Sequence, residues 1–148
     1  MKFAPRLVGL ALVLLASTAY ASEGGVTGRW TTIDDETGKP KSVIVIEEKD
    51  GKLFGTIERL FRGPDEEQDP ACTECEGELK GKKIIGMTIL RGLEKDGDEW
   101  TGGTILDPKN GKTYRCKVAL EDGGKKLKVR GFIGISLLGR TQYWKRAE

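Results

Sequence analysis

An all-β fold, eight short antiparallel strands closing as an up-and-down barrel, is what this 148-residue sequence predicts. Three features point to it. Apolar residues alternate at period two, and helical periodicity is nowhere sustained over ten residues. Asx-Gly pairs (Asp50-Gly51, Asp96-Gly97, Asn110-Gly111, Asp122-Gly123-Gly124) separate the alternating segments, and such pairs suit the positive backbone angles of tight hairpins. Glycine also falls inside the segments, at Gly55, Gly86, Gly102, Gly103, Gly131 and Gly134. It weakens a flat strand but serves one that must bend to close a small barrel. A strongly coiled two-sheet sandwich is the competing all-β solution.

The chain opens with an address. Met1–Ala21 carries two early cations, Lys2 and Arg6, then an apolar run from Leu7 to Ala16, and closes on Ala19-Tyr20-Ala21. That order is the pattern of a cleavable signal peptide. The apolar run is too short to span a bilayer, which takes about 20 residues. No cysteine follows the expected cut, so no lipid anchor is expected. The mature chain is then Ser22–Glu148, one domain, exported to the periplasm or secreted. Losing Lys2 and Arg6 leaves 25 − 2 = 23 basic against 23 acidic residues. A chain of zero net charge lacks the positive field that draws nucleic acid.

The strands follow in order: Thr27–Ile33, Ser42–Glu48, Leu53–Phe61, Lys83–Leu90, Glu99–Leu106, Lys112–Leu120, Lys126–Ile135 and Arg140–Lys145. In the sixth, Tyr114, Cys116, Val118 and Leu120 share a face, with Arg115 and Lys117 opposite. In the seventh, Leu127, Val129 and Ile133 oppose Lys126, Lys128 and Arg130. In the last, an inward Trp144 takes Arg140, Gln142 and Arg146 to its side. A half-buried guanidinium needs an anion or an aromatic face.

Arg62–Lys82 is too long for an ordinary connection, so it is either functional or mobile. It holds Cys72 and Cys75 among seven acids and three bases. In an oxidising compartment the pair reads as a structural disulfide. Glu74 and Glu76 flank Cys75 and disfavour a reactive thiolate, which wants a cationic setting. Glu76 after the Cys-x-x-Cys also rules out c-type haem attachment. Cys116 makes the count odd. A Cys72–Cys75 bridge contributes roughly 2 kcal/mol and a Cys75–Cys116 bridge roughly 4 kcal/mol on the chain-entropy argument. We expect Cys72–Cys75, with Cys116 a small buried hydrophobe. Three thiols and a carboxylate make zinc a remaining option, which the spacing of Cys116 does not support.

With no histidine anywhere, serine–histidine and cysteine–histidine nucleophiles and histidine-ligated metals are excluded. No pattern calls for a cofactor. Asp34-Asp35 offers a carboxylate pair, but adjacent strand residues point to opposite faces and Glu36-Thr37-Gly38 signals a turn. Ser136-Leu137-Leu138-Gly139 places two leucines in a short connection, packed over the barrel end or forming an apolar rim for a ligand or membrane.

Gly28-Arg29-Trp30 in the first strand and Gly139-Arg140-Thr141-Gln142 in the last resemble the lipocalin and calycin arrangement. There a Gly-x-Trp closes one end of the barrel and a late arginine packs across the indole. The resemblance implies Trp30 at the closed end with Arg140 as its partner and Arg146 as runner-up. Trp30–Asp35, Thr37–Ser42, Cys72-x-x-Cys75, Ile85-Gly86-Met87, Trp100–Gly103, Leu106–Tyr114 and Val129–Gly134 further resemble a bacterial family known only as a domain of unknown function, family 2147. It implies a small exported protein with a lipocalin-like barrel and brings no activity with it.

The expected function is therefore non-enzymatic binding of a small apolar or amphipathic ligand at an open mouth, lined by Tyr114, Val118, Val129, Gln142 and Trp144. A barrel of this size can instead be filled by its own side chains. In that case the chain is an envelope structural or protein-interaction module. An exported thiol enzyme is the weakest alternative.

Overall fold

The computed structural model describes residues 2–4 and 25–147. Apart from residues 2–4, the expected leader and its cleavage site lie outside the described residues. Eight strands run β1 (Gly28–Ile33), β2 (Pro40–Lys49), β3 (Lys52–Leu60), β4 (Thr88–Asp96), β5 (Glu99–Asp107), β6 (Lys112–Glu121), β7 (Lys126–Phe132) and β8 (Gly139–Arg146). Each pairs antiparallel with the next and β8 returns to β1, so the sheet is a closed barrel. The sandwich is excluded.

Two strands differ from their sequence reading by more than two residues at an end. β4 begins at Thr88, not Lys83, because the preceding residues are spent elsewhere. Ile84 donates its N–H to the Pro70 carbonyl, Ala71 bridges Lys83, and Gly86 and Met87 pair with Ile57 of β3. β4 then runs on to Asp96, with Leu90 and Leu93 both buried at a spacing of three. The odd spacing fits because the register with β3 slips between Leu53 and Phe54. A bulge of this kind restores the inward face after an extra residue. β7 ends at Phe132, not Ile135: Ile133 turns back to bond Leu138, and Ile133 and Ile135 become loop residues.

Because the strands alternate in direction, the connections fall alternately at the two ends of the barrel. The turns at 50–51, 97–98 and 122–125 lie at one end with the start of β1 and the end of β8. The other end carries 34–39, 61–87, 108–111 and 133–138. Chemistry at loops therefore concentrates at the second end.

Between them sits a packed core. Trp30, Ile44, Ile46, Leu53, Leu90, Leu93, Val118, Leu127 and Trp144 are all essentially inaccessible. Among the described residues no buried side-chain nitrogen or oxygen lacks a hydrogen-bond partner. The barrel is filled by its own side chains. The β1–β8 ladder is the short one, with only Trp30↔Arg146 and Thr31↔Lys145 in register against seven pairs between β7 and β8.

Candidate functional site

The closed end is built on Trp30. Its indole N–H donates to the Val26 carbonyl at 2.8 Å, and the Arg146 guanidinium lies over the ring, 4.0 Å from its centroid. Arg146 also donates to the carbonyls of Gly25 (2.6 Å), Thr27 (2.9 Å) and Gly124 (3.2 Å). It thereby ties the segment leading into β1, the β6–β7 turn and the last strand together. Desolvation holds its pKa below the usual arginine value. Gly28 belongs to the same seal: its φ is +119°, and a Cβ there would stand 3.0 Å from an Arg146 nitrogen. The glycine of the Gly-x-Trp motif leaves room for the guanidinium.

Arg140 is not the partner of Trp30. Register decides this, since Arg146 is directly opposite Trp30 on the neighbouring strand while Arg140 lies six residues up β8, about 20 Å away along the strand. Arg140 instead forms an ion pair with Asp35 of the β1–β2 loop, across the part of the seam that the β1–β8 ladder leaves unpaired. Asp34 accepts from the N–H groups of Glu36 and Thr37, each at 2.9 Å, and from the Thr37 hydroxyl. The Thr37 N–H is the main cause of its lowered pKa. The two aspartates are a turn and a latch, not a carboxylate dyad.

At the other end the 61–87 connection folds over the mouth as a lid. Cys72 and Cys75 form a disulfide, and both are buried in the core cluster with Met87, against which Leu79 and Ile84 pack. The lid ties itself through Cys72 N–H to Lys82 O (2.7 Å) and Gly81 N–H to Cys72 O (2.8 Å). It also rests on the β5–β6 turn, where a Cβ at Gly111 would overlap the Glu74 carbonyl. Cys116 is a buried free thiol, its pKa pushed up to about 12 by desolvation. Among the described residues no group of three or more metal-ligating side chains comes together.

Lid and rim leave a cleft of ≈ 360 Å³ lined by Cys75, Glu76, Leu79, Leu106, Gly111, Lys112, Thr113, Tyr114 and Ile133. Of the residues expected to line a ligand site, Tyr114 is here, its hydroxyl accepting from the Asn110 amide at 3.0 Å. Val118, Val129 and Trp144 are not. They point into the barrel, where neighbouring side chains bury them completely enough to leave no lumen beside them. Gln142 is spent on Trp144, accepting its indole N–H at 3.2 Å. Leu79, Leu106 and Ile133 are cleft residues that sequence reasoning missed. An odd apolar residue within an acidic loop was the available signal for Leu79.

A second groove, ≈ 460 Å³, runs on the outer wall between Arg29, Arg59, Phe61 and Lys145. Arg59 stacks on Phe61 there, and Arg29 pairs with Glu58. Among the described residues no helix is long and apolar enough to cross a membrane.

No curated protein matches the chain. Among solved structures it is similar to one described as "Protein HP1028 from the human pathogen Helicobacter pylori belongs to the lipocalin family". The likeness has a TM-score of 0.71 at 22% identity and covers 84% of each chain, so it is a likeness of fold. The barrel is lipocalin-like. Residues 28–146, from the glycine beneath Arg146 to Arg146 itself, match the profile of a family described as "Uncharacterized protein conserved in bacteria (DUF2147)", and the chain belongs to that family.

Proposed function

We propose that this chain is an exported, non-enzymatic binding protein that takes a small apolar or amphipathic ligand at the rim of its barrel, beside the disulfide lid. The carrying observation is the cleft at the loop-rich end, next to an interior that is already filled. Its lining mixes apolar side chains (Leu79, Leu106, Tyr114, Ile133) with polar ones (Glu76, Lys112, Thr113). The apolar side chains suit a hydrocarbon chain or ring, and the polar ones a head group. The volume falls within the range of about 300–1,000 Å³ typical of small-molecule sites.

The catalytic candidates that the sequence singled out are otherwise engaged. Histidine is absent, Cys72 and Cys75 are joined, Cys116 is buried, and Asp34 and Asp35 hold a turn and an ion pair. Export to the periplasm or beyond is supported by the leader pattern of Met1–Ala21 and by the disulfide, which persists in oxidising compartments.

Native mass spectrometry after incubation with a panel of straight-chain fatty acids tests the reading. We expect wild type to retain a ligand mass and Thr113→Trp, which fills the cleft from an exposed position, to lose it. A wild type that keeps its apo mass throughout sinks the proposal. The packed interior then favours the alternative, an envelope structural or protein-interaction module. Cell fractionation with N-terminal sequencing tests export, for which a periplasmic or secreted chain beginning at Ser22 is expected.

A further inference from the structure

The β7–β8 loop presents four aliphatic side chains within six residues. Ile133 is 66% exposed, Ile135 60%, Leu137 83% and Leu138 69%. Scattered apolar residues on a surface need no explanation, whereas a contiguous group does. The loop is also built rather than loose. Ile133 N–H bonds Leu138 O, Leu138 N–H bonds Ile135 O at 3.0 Å, Arg130 donates to Ser136 O at 2.6 Å, and Arg115 donates to Gly134 O at 3.1 Å. Two guanidiniums thus hold the backbone from below, so the apolar tip is carried on a positively charged base. Lys109 and Lys112, both exposed, add two cations on the neighbouring β5–β6 rim, where Glu76 of the lid shares the cleft with Lys112.

An apolar tip above a cationic collar is complementary to one surface in particular. The hydrocarbon boundary of a bilayer receives the side chains, and anionic head groups receive the cations. A second copy of the chain is a poorer match, because a six-residue tip offers far less than the about 800 Å² per partner that a stable dimer buries. We propose that Ile133–Leu138 is a reversible docking tip for an anionic lipid surface, inserting Ile135, Leu137 and Leu138 while Arg115, Arg130, Lys109 and Lys112 meet the head groups. Ile133 lines the rim cleft as well, so docking brings the cleft to the bilayer. In that respect the inference extends the ligand-binding reading, while the docking itself needs no ligand.

The test is co-sedimentation of the full chain with vesicles of phosphatidylethanolamine and phosphatidylglycerol, against vesicles of phosphatidylcholine alone. Wild type should partition onto the anionic vesicles, and Leu137→Ser/Leu138→Ser should reduce partitioning about tenfold or more. Both positions are exposed, so the double variant keeps the native circular dichroism spectrum. It also carries the same N-terminal segment as wild type, so the difference reports the loop alone. Raising the salt should weaken binding. Thr113→Trp should bind vesicles like wild type even where it loses a fatty acid, which separates failure of the cleft from failure of the tip. Equal binding by the double variant overturns the proposal, as does equal binding to phosphatidylcholine. A dimer that the double variant dissolves assigns the tip to a second copy and overturns it too.

Discussion

Arg146 meets the Trp30 ring face-on and spends its N–H groups on three carbonyls, so removing it takes away far more than a charge. The stacking contributes about 0.5–2 kcal/mol, and a hydrogen bond from a charged donor about 1.5–3 kcal/mol. Such terms do not add fully, and we expect Arg146→Ala to cost about 3 kcal/mol. Arg140→Ala removes an ion pair between two well-exposed side chains and should cost about 1 kcal/mol or less. Urea midpoints for the two variants check the order, and a larger loss for Arg140→Ala would refute the seal. Cys116 gives a pH prediction. Its folded pKa is about 12 against an ordinary 9.0, so above pH 9 the unfolded chain loses the thiol proton first. Unfolding then releases a proton, and stability falls as pH rises towards 12, with no contribution below 9. Wild type should lose more stability than Cys116→Ala between about pH 7 and about pH 10.5, measured by urea unfolding. At this scale the resemblance of Gly28-Arg29-Trp30 and Gly139-Arg140-Thr141-Gln142 to the lipocalin arrangement implies that a late arginine covers Trp30. It does not show which one: Arg140 and Arg146 share a strand parity and differ only in register.

The disulfide lid is the element whose behaviour follows most directly from its contacts. Cys72 and Cys75 are buried against the barrel mouth and the β5–β6 turn, yet the lid lies outside the eight-strand ladder. Reducing the bridge should therefore cost about 2 kcal/mol and act locally. Hydrogen exchange should quicken across 61–87 while the amides of β6 and β7 keep their protection. Loss of protection throughout the barrel would mean that the bridge holds the whole fold. The length and cysteine content of this connection were legible in the sequence; its packing was not. Ile84 and Met87 look like strand residues, because apolar alternation is the same whether the pattern ends in a ladder or in a lid. Leu90 and Leu93 hide a strand in the opposite way, because a bulge breaks the period that would reveal it.

For the whole molecule, closure governs what the surface can do. Two rings of contacts seal the ends, Trp30 with Arg146 below and the disulfide lid above, and large side chains fill the space between. The space left for a ligand thereby lies at the rim and not in a lumen, in the cleft beside the aliphatic tip. Period-two alternation and Asx-Gly turns determined by themselves that the chain is all-β with eight antiparallel strands, and the glycines within the strands favoured closure as a barrel over a coiled sandwich. These are local preferences, repeated at each strand and turn; closure itself rests on the pairing of β8 with β1, which the tertiary structure decided. The tertiary structure alone decided which arginine covers Trp30, that Val118, Val129 and Trp144 fill the interior instead of lining it, and where β4 and β7 stop. Each of those outcomes depends on register, bulges and side-chain volume summed across several strands. Such quantities exist only once residues distant in sequence are brought side by side.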